Sequence, residues 1–131
     1  MNSMQDTARI IQGDSPSPVP VKIVRDMIDI KYFPISFIKP IYIRYWAPAS
    51  SIKSYSNSAV NLPYPSESIA FQGTKNMGVV RVRKDGRFEI QVNSPGSYYD
   101  SLMKYIIKPH IRYQVCDYMG KPLSEVYIKN I

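Results

Sequence analysis

The sequence predicts an all-β protein, an antiparallel β-sandwich preceded by an extended N-terminal arm. Its length of 131 residues is close to the commonest size of a single domain. Its 11 tyrosines and many isoleucines favour half-buried pleated surfaces over helices. Short alternating apolar segments are separated by turn-rich connections, and no long helical pattern appears.

Residues 1–20 are predicted to form the arm and residues 21–131 the sandwich domain. Pro16, Pro18 and Pro20 alternate with other residues, which blocks helix and sheet ladders and favours an extended chain. Such an arm is expected to be disordered or to lie along a neighbouring molecule. The first residues have no signal-peptide pattern, and prolines and charges interrupt the most apolar segment, residues 32–46. The expected location is therefore intracellular or within a virus particle.

The first half of the domain contains three candidate strands and a long connection. Apolar runs at residues 21–24 and 27–30 predict two short strands. Residues 41–46 alternate, with Ile41, Ile43 and Tyr45 on one face. Residues 47–76 are rich in Ser, Asn and Pro, without periodicity, and predict a long loop.

The second half contains the clearest strand signals. Residues 79–83 and 87–92 flank an Asp-Gly step, which predicts a hairpin with the even-numbered side chains of its second strand facing the core. Residues 110–116 alternate so that His110 and Arg112 share the face opposite the core. A last strand is predicted over residues 125–129, and residues 101–107 could form a turn or two of helix.

Charge and cysteine content limit the possible functions. The formal net charge of +7 suits an anionic partner, but the basic residues are scattered, and only Arg81, Arg83, Lys84 and Arg87 cluster. A solvated basic face is the favoured interpretation, with nucleic-acid binding as the alternative. The single cysteine, Cys116, cannot form an internal disulfide, excludes a thiolate zinc cage and favours a reducing compartment.

Seven short motifs occur in an order that resembles the catalytic domain of the intradiol ring-cleavage dioxygenases. Together they span roughly residues 40–131. The motifs are Tyr-Ile-Arg-Tyr-Trp at 42–46, Lys-Ser-Tyr-Ser-Asn at 53–57, Phe-Gln-Gly at 71–73, Lys-Asp-Gly-Arg-Phe at 84–88, Ser-Pro-Gly-Ser-Tyr at 94–98, Lys-Pro-His-Ile-Arg-Tyr at 108–113 and Leu-Ser-Glu-Val-Tyr at 123–127.

The resemblance implies a prealbumin-like β-sandwich whose non-haem ferric ion is held by two tyrosines and two histidines. By motif, Tyr55 and Tyr98 match the tyrosines and His110 the first histidine, but Arg112 stands in place of the second. A guanidinium is always charged and has no lone pair for a metal. Arg112 is instead expected to close the pocket by stacking on tyrosine rings and by bonding to hydroxyls or to a carboxylate such as Glu125.

The sequence therefore favours a non-enzymatic structural or interaction protein with no cofactor. A minor component of a large assembly such as a virus particle is the concrete expectation, since its Ile, Lys, Tyr and Asn bias fits an A/T-rich genome. Its partners would be other protein chains, contacted through the arm, the tyrosine-rich surface and basic residues including Arg81, Arg83 and Arg87. One alternative is a catechol dioxygenase that binds Fe(III) through Tyr55, Tyr98 and His110. The other is a nucleic-acid-binding module.

Overall fold

The computed structural model describes residues 20–50 and 62–131, which contain eight strands and one short helix. Two consecutive 3₁₀ turns, Ile30–Tyr32 and Pro34–Phe37, connect the first two strands. The elements are β1 (Val21–Met27), β2 (Tyr42–Trp46), α1 (Glu67–Phe71), β3 (Met77–Arg81), β4 (Arg87–Asn93), β5 (Tyr98–Tyr99), β6 (Ile106–Ile107), β7 (His110–Cys116) and β8 (Tyr127–Asn130).

The strands form three antiparallel sheets. The largest has the order β3-β2-β7-β8, and two-stranded sheets are formed by β1 with β4 and by β5 with β6. Every pairing between these strands is antiparallel. The predicted all-β, antiparallel class is therefore confirmed.

One hydrophobic core joins the four-stranded sheet to the β1-β4 sheet. Ile43, Ile111 and Val115 enter it from the large sheet, and Val24 and Ile90 enter it from the small one. The alternation predicted for β4 and β7 is confirmed, because their inward positions, including Phe88, Val92 and Tyr113, are buried. Two sheets that bury their inner faces in one core are consistent with a sandwich.

A polar contact group also links the two sheets at the edge of the core. The Tyr113 hydroxyl and the Lys129 ammonium donate to the same Asp26 oxygen, at 3.3 and 3.0 Å. Burial raises the pKa of Asp26, but hydrogen bonds from the Met27 amide and Lys129, together with the lysine charge, lower it overall. Burial and the neighbouring Asp26 raise the pKa of Tyr113 to about 12.

The prediction that the strands on either side of Gly86 pair as a hairpin is wrong, although the turn between them forms. The Gly86 amide donates to the Arg83 carbonyl and the Arg83 amide donates to the Arg87 carbonyl, both at 2.8 Å. Gly86 has φ +94°, which favours glycine. Beyond the turn, however, β3 pairs with β2 and β4 pairs along its whole length with β1. The turn is a corner at which the chain changes sheets.

Several element boundaries also differ from the predictions. The two apolar runs at 21–30 yield one strand, β1, and the predicted loop at 47–76 contains α1. Residues 101–107 form turns followed by β6 instead of helix, and the last strand begins at Tyr127. Of the predicted arm, only Pro20 lies within the described residues; it is exposed, and its carbonyl accepts a hydrogen bond from the Ser94 amide.

Asn76 connects the chain just before β3 to the ends of β2 and β4. It is 4% exposed. Its side-chain amide donates to the carbonyls of Pro48 and Asn93, both at 2.9 Å, and its Oδ1 accepts from the Asn93 amide at 3.0 Å. This one side chain therefore satisfies three backbone groups from two separate segments, as buried polar groups require.

Candidate functional site

Five residues from three elements meet on the outer face of the four-stranded sheet, and we call them the Arg112 cluster. The pleat of β7 places His110 and Arg112 on one face, two residues apart. β5 supplies Tyr98, and α1 supplies Glu67 and Phe71. Ser66 precedes the helix and caps it, because its hydroxyl accepts a hydrogen bond from the Ile69 amide at 3.3 Å.

Arg112 is the centre of this cluster. Its terminal nitrogen Nη2 donates to the Tyr98 hydroxyl at 3.1 Å and to the Glu67 carboxylate at 2.7 Å. The guanidinium carbon lies 4.7 Å from the centroid of the Phe71 ring, within the range of a cation–π contact. The arginine side chain is 24% exposed. One guanidinium thus holds together α1, β5 and β7.

Aromatic rings surround the inner side of the cluster. The Tyr98 ring centroid is 6.0 Å from that of Phe71 and 5.9 Å from that of His110. His110 is 2% exposed. Its Nδ1 lies 2.9 Å from the Lys108 carbonyl oxygen, which can only accept, so the proton is on Nδ1. Nε2 of His110 and Nε of Arg112 are buried and have no hydrogen-bond partner in the described part of the chain.

The electrostatics of Tyr98 suit a neutral hydroxyl. Burial raises its pKa, the Arg112 charge opposes that rise, and the Glu67 carboxylate adds to it, so that the pKa ends above its ordinary value of 10.0. The hydroxyl is therefore protonated at neutral pH and accepts the hydrogen bond from Arg112. This is a satisfied structural contact.

Arg112 is the feature of this cluster that disfavours a ferric ion. The Tyr98 hydroxyl, which would be a ligand, already accepts a hydrogen bond from a permanent cation. The Nδ1 of His110 is engaged with the backbone, whereas its Nε2 keeps a lone pair and has no partner among the described residues. Within residues 20–50 and 62–131, no group of three or more His, Cys, Asp or Glu side chains is placed to hold a metal ion. Tyr55, the other tyrosine suggested by the motifs, lies outside the described residues.

The structure brings together three of the four residues that the motifs suggested, namely Tyr98, His110 and Arg112. It corrects the expected carboxylate partner, because Arg112 binds Glu67 and not Glu125. The ring below the guanidinium is also different, since Arg112 lies over Phe71 instead of a tyrosine. The sequence signal that could have identified Glu67 is the helix cap at Ser66, one residue before it.

The predicted interaction residues lie elsewhere. Pro16 and Pro18 are outside the described residues. Arg81, Arg83 and Arg87 are all exposed. Arg81 and Arg83 line one groove, and Arg83 and Arg87 line a second one. Arg87 forms an exposed ion pair with Asp85 at 3.6 Å. Cys116 is buried, as expected for a small core side chain.

An exposed apolar area continues along the outer face beyond the cluster. Met77, Val79 and Ile128 are all more than half exposed. Trp46 stands opposite both Met77 and Arg112 in the strand register. A shallow cavity of about 400 Å³ lies between β2 and β3, and its wall includes Trp46, Met77 and Val79. β3 is an edge of its sheet, so one side of its backbone faces away from a ladder.

No protein-family model matches this chain, and no curated protein or solved structure is significantly similar to it. The likeness to the intradiol dioxygenases thus stays a prediction from the motifs. None of the helices in residues 20–50 and 62–131 is long and apolar enough to cross a membrane.

Proposed function

We propose that this protein is a non-enzymatic structural and interaction module, in which Arg112 closes the position of a former metal site. The observation that supports it is the set of contacts made by one guanidinium, which binds Tyr98 and Glu67 and lies on Phe71. A guanidinium cannot give up its charge or act as a metal ligand. In this proposal Arg112 fills the position that a metal ion would occupy and joins the elements around it.

The electrostatic repulsion between Arg112 and a ferric ion at this site can be estimated. A ferric ion bound by the Tyr98 hydroxyl would lie close to the Arg112 guanidinium, which is 3.1 Å from that oxygen. At about 4 Å and an effective dielectric constant of about 20, each net positive charge left on the bound ion would be repelled by about 4 kcal/mol. Reorientation of the arginine could relieve it, but only by breaking the contacts with Glu67 and Phe71.

Iron content and colour test the proposal directly. Purified wild-type protein should contain far less than one iron per chain and should lack the visible absorption of a tyrosinate–iron complex. The variant Arg112→His replaces the cation with a possible ligand, and Arg44→His is the matched control. Arg44 is also on the outer face and donates to Gln114 at 2.7 Å.

The three proteins, each incubated with ferric ion and desalted, give distinguishable results. Stoichiometric iron with a visible band in the wild type would overturn the non-enzymatic assignment. Iron gained by Arg112→His alone would support both a closed metal site and the family resemblance. If no variant gains iron, the interaction role is retained and the origin from a metal site is rejected.

The interaction part of the proposal rests on the apolar outer face and the edge strand β3. Exposed apolar side chains grouped on one face are typical of contact surfaces. An edge strand can accept an extended peptide as an additional strand. The proline-rich segment 1–20 of a second copy is the occupant that we propose, within a repeating assembly such as a virus particle. Its prolines would have to lie on the side of the added strand that faces away from β3, because proline has no amide proton for a ladder.

Self-association of the full chain tests this part. Sedimentation velocity should show concentration-dependent assembly that a synthetic peptide of residues 1–20 inhibits. Val79→Lys, on the exposed face of β3, should weaken assembly, whereas Val126→Lys, an exposed valine outside the named strands, should not. A chain that stays monomeric at all concentrations, with or without the peptide, would refute self-assembly.

A further inference from the structure

One groove of the domain adds Lys39 to three of the basic residues that cluster in the sequence. It lies between the segment after the second 3₁₀ turn and the segment that follows β3, and has a volume of about 780 Å³. Its walls include four basic residues, Lys39, Arg81, Arg83 and Lys84. Lys39 is more than 40 residues from the other three in sequence, so the fold is what brings it beside them.

Little of the positive charge of the basic groove is neutralised locally. The residues that line it include no aspartate or glutamate. Arg83 also lines a neighbouring pocket with Asp26 and Glu89, but these carboxylates pair with Lys129 and Arg25. Among the described residues, the nearest acidic side chain in sequence, Asp85, is paired with Arg87, and none of the four groove cations takes part in an ion pair. With a net charge of +7 on the chain, this arrangement attracts a polyanion.

Exposed apolar side chains stand beside these cations. Phe37 is 70% exposed and Ile38 is 80% exposed, and both line the basic groove. Inorganic phosphate, or the carboxylates of an acidic peptide, would make no use of an open aromatic ring. An unpaired nucleobase would, since its π-face can stack on the ring while its phosphates contact the cations. In a duplex the base faces are already stacked on one another.

We propose that the basic groove binds single-stranded nucleic acid, with the phosphates at Lys39, Arg81, Arg83 and Lys84 and a base stacked on Phe37. This function goes beyond the interaction module and does not depend on the Arg112 cluster. The proposed contacts are to phosphates and to one face of a base, and none is to the hydrogen-bonding edge of a base. Binding should therefore be insensitive to nucleotide sequence. It should weaken strongly with salt, because each phosphate contact releases counterions.

The test is fluorescence anisotropy of the full chain with a labelled oligothymidine of about 16 nucleotides, the upper end of common site sizes. Four phosphate contacts predict that the logarithm of affinity falls with the logarithm of salt with a slope of about −3. The double variant Arg81→Gln/Arg83→Gln should reduce that slope by about 1.4. Phe37→Ala should weaken binding about 5- to 150-fold without changing the slope.

The charge-matched control is Lys104→Gln/Lys108→Gln, which removes two exposed lysines that do not line the basic groove. It should leave the slope nearly unchanged. An equal loss in the control and the groove variant would show that net charge alone drives binding and would overturn the proposal. So would a Phe37→Ala variant of wild-type affinity, equal affinity for a duplex of the same length, or tighter binding of polyglutamate. Circular dichroism melts of all variants verify that each is folded.

Discussion

Replacement of Asn76 by alanine is expected to cost a large part of the stability of this domain. The side chain makes three hydrogen bonds, to Pro48 and twice to Asn93, and it is buried. Each such bond contributes about 1 kcal/mol net, and a buried partner left unsatisfied costs about 1–3 kcal/mol. The expected loss is therefore about 3–5 kcal/mol, out of a total near 5–15 kcal/mol for a typical domain.

Urea denaturation followed by tyrosine and tryptophan fluorescence measures this loss as a lower midpoint at unchanged slope. Asn93→Ala is the matched control. The side chain of Asn93 is exposed and only its backbone takes part in the network, so its alanine variant should stay within about 0.5 kcal/mol of wild type. Equal effects of the two substitutions, or a loss below about 1 kcal/mol for Asn76→Ala, would refute this account of the junction.

Three further changes follow from individual contacts. Gly86 and Gly120 both have positive φ. A Cβ at Gly86 would lie 2.1 Å from the Ile28 carbonyl oxygen, while a Cβ at Gly120 would meet nothing within 4 Å. Thermal melts should therefore show a loss of stability of about 1–2 kcal/mol for Gly120→Ala and clearly more for Gly86→Ala. The lowered pKa of Asp26 stabilises the fold above its ordinary value of 3.8, so the stability advantage of wild type over Asp26→Asn should shrink as acid titration goes below about pH 4. The pKa of Tyr113 is raised from 10.0 to about 12. In alkaline denaturation the wild type should therefore lose stability above pH 10 more steeply than Tyr113→Phe. Parallel stability curves for the two proteins would contradict this expectation.

The features that sequence reasoning predicted correctly are those set by local chemistry. The residues of β7 were predicted with their bounds, because alternation at 110–116 is uninterrupted. The turn at Gly86 was predicted from its Asp-Gly step, and it forms. The partners of the two flanking strands were not predicted. β3 pairs with β2, 31 to 39 residues earlier, and β4 pairs with β1, 60 to 72 residues earlier.

In the candidate site, too, some features were predictable from the local sequence and others were not. Tyr98, His110 and Arg112 come together as the motif order suggested. Glu67 and Phe71 were not predicted, because α1 has five residues and is too short to show helical periodicity. A carboxylate partner for Arg112 was expected on chemical grounds. Its identity was not predicted, because Glu67 lies in the segment 47–76, whose sequence shows no periodicity.

The pairing of β1 with β4 also has a consequence during synthesis. The ladder joins Val21 to Asn93, so β1 leaves the ribosome roughly 70 residues before its partner and waits about 4–14 s at ordinary translation rates. During that interval its apolar side chains, Val21, Ile23 and Val24, have no sheet to join. The proline at position 20 precedes them directly and lacks an amide proton to extend a ladder. A premature ladder could therefore not extend through Pro20, although the amides of β1 itself stay available until β4 has been made.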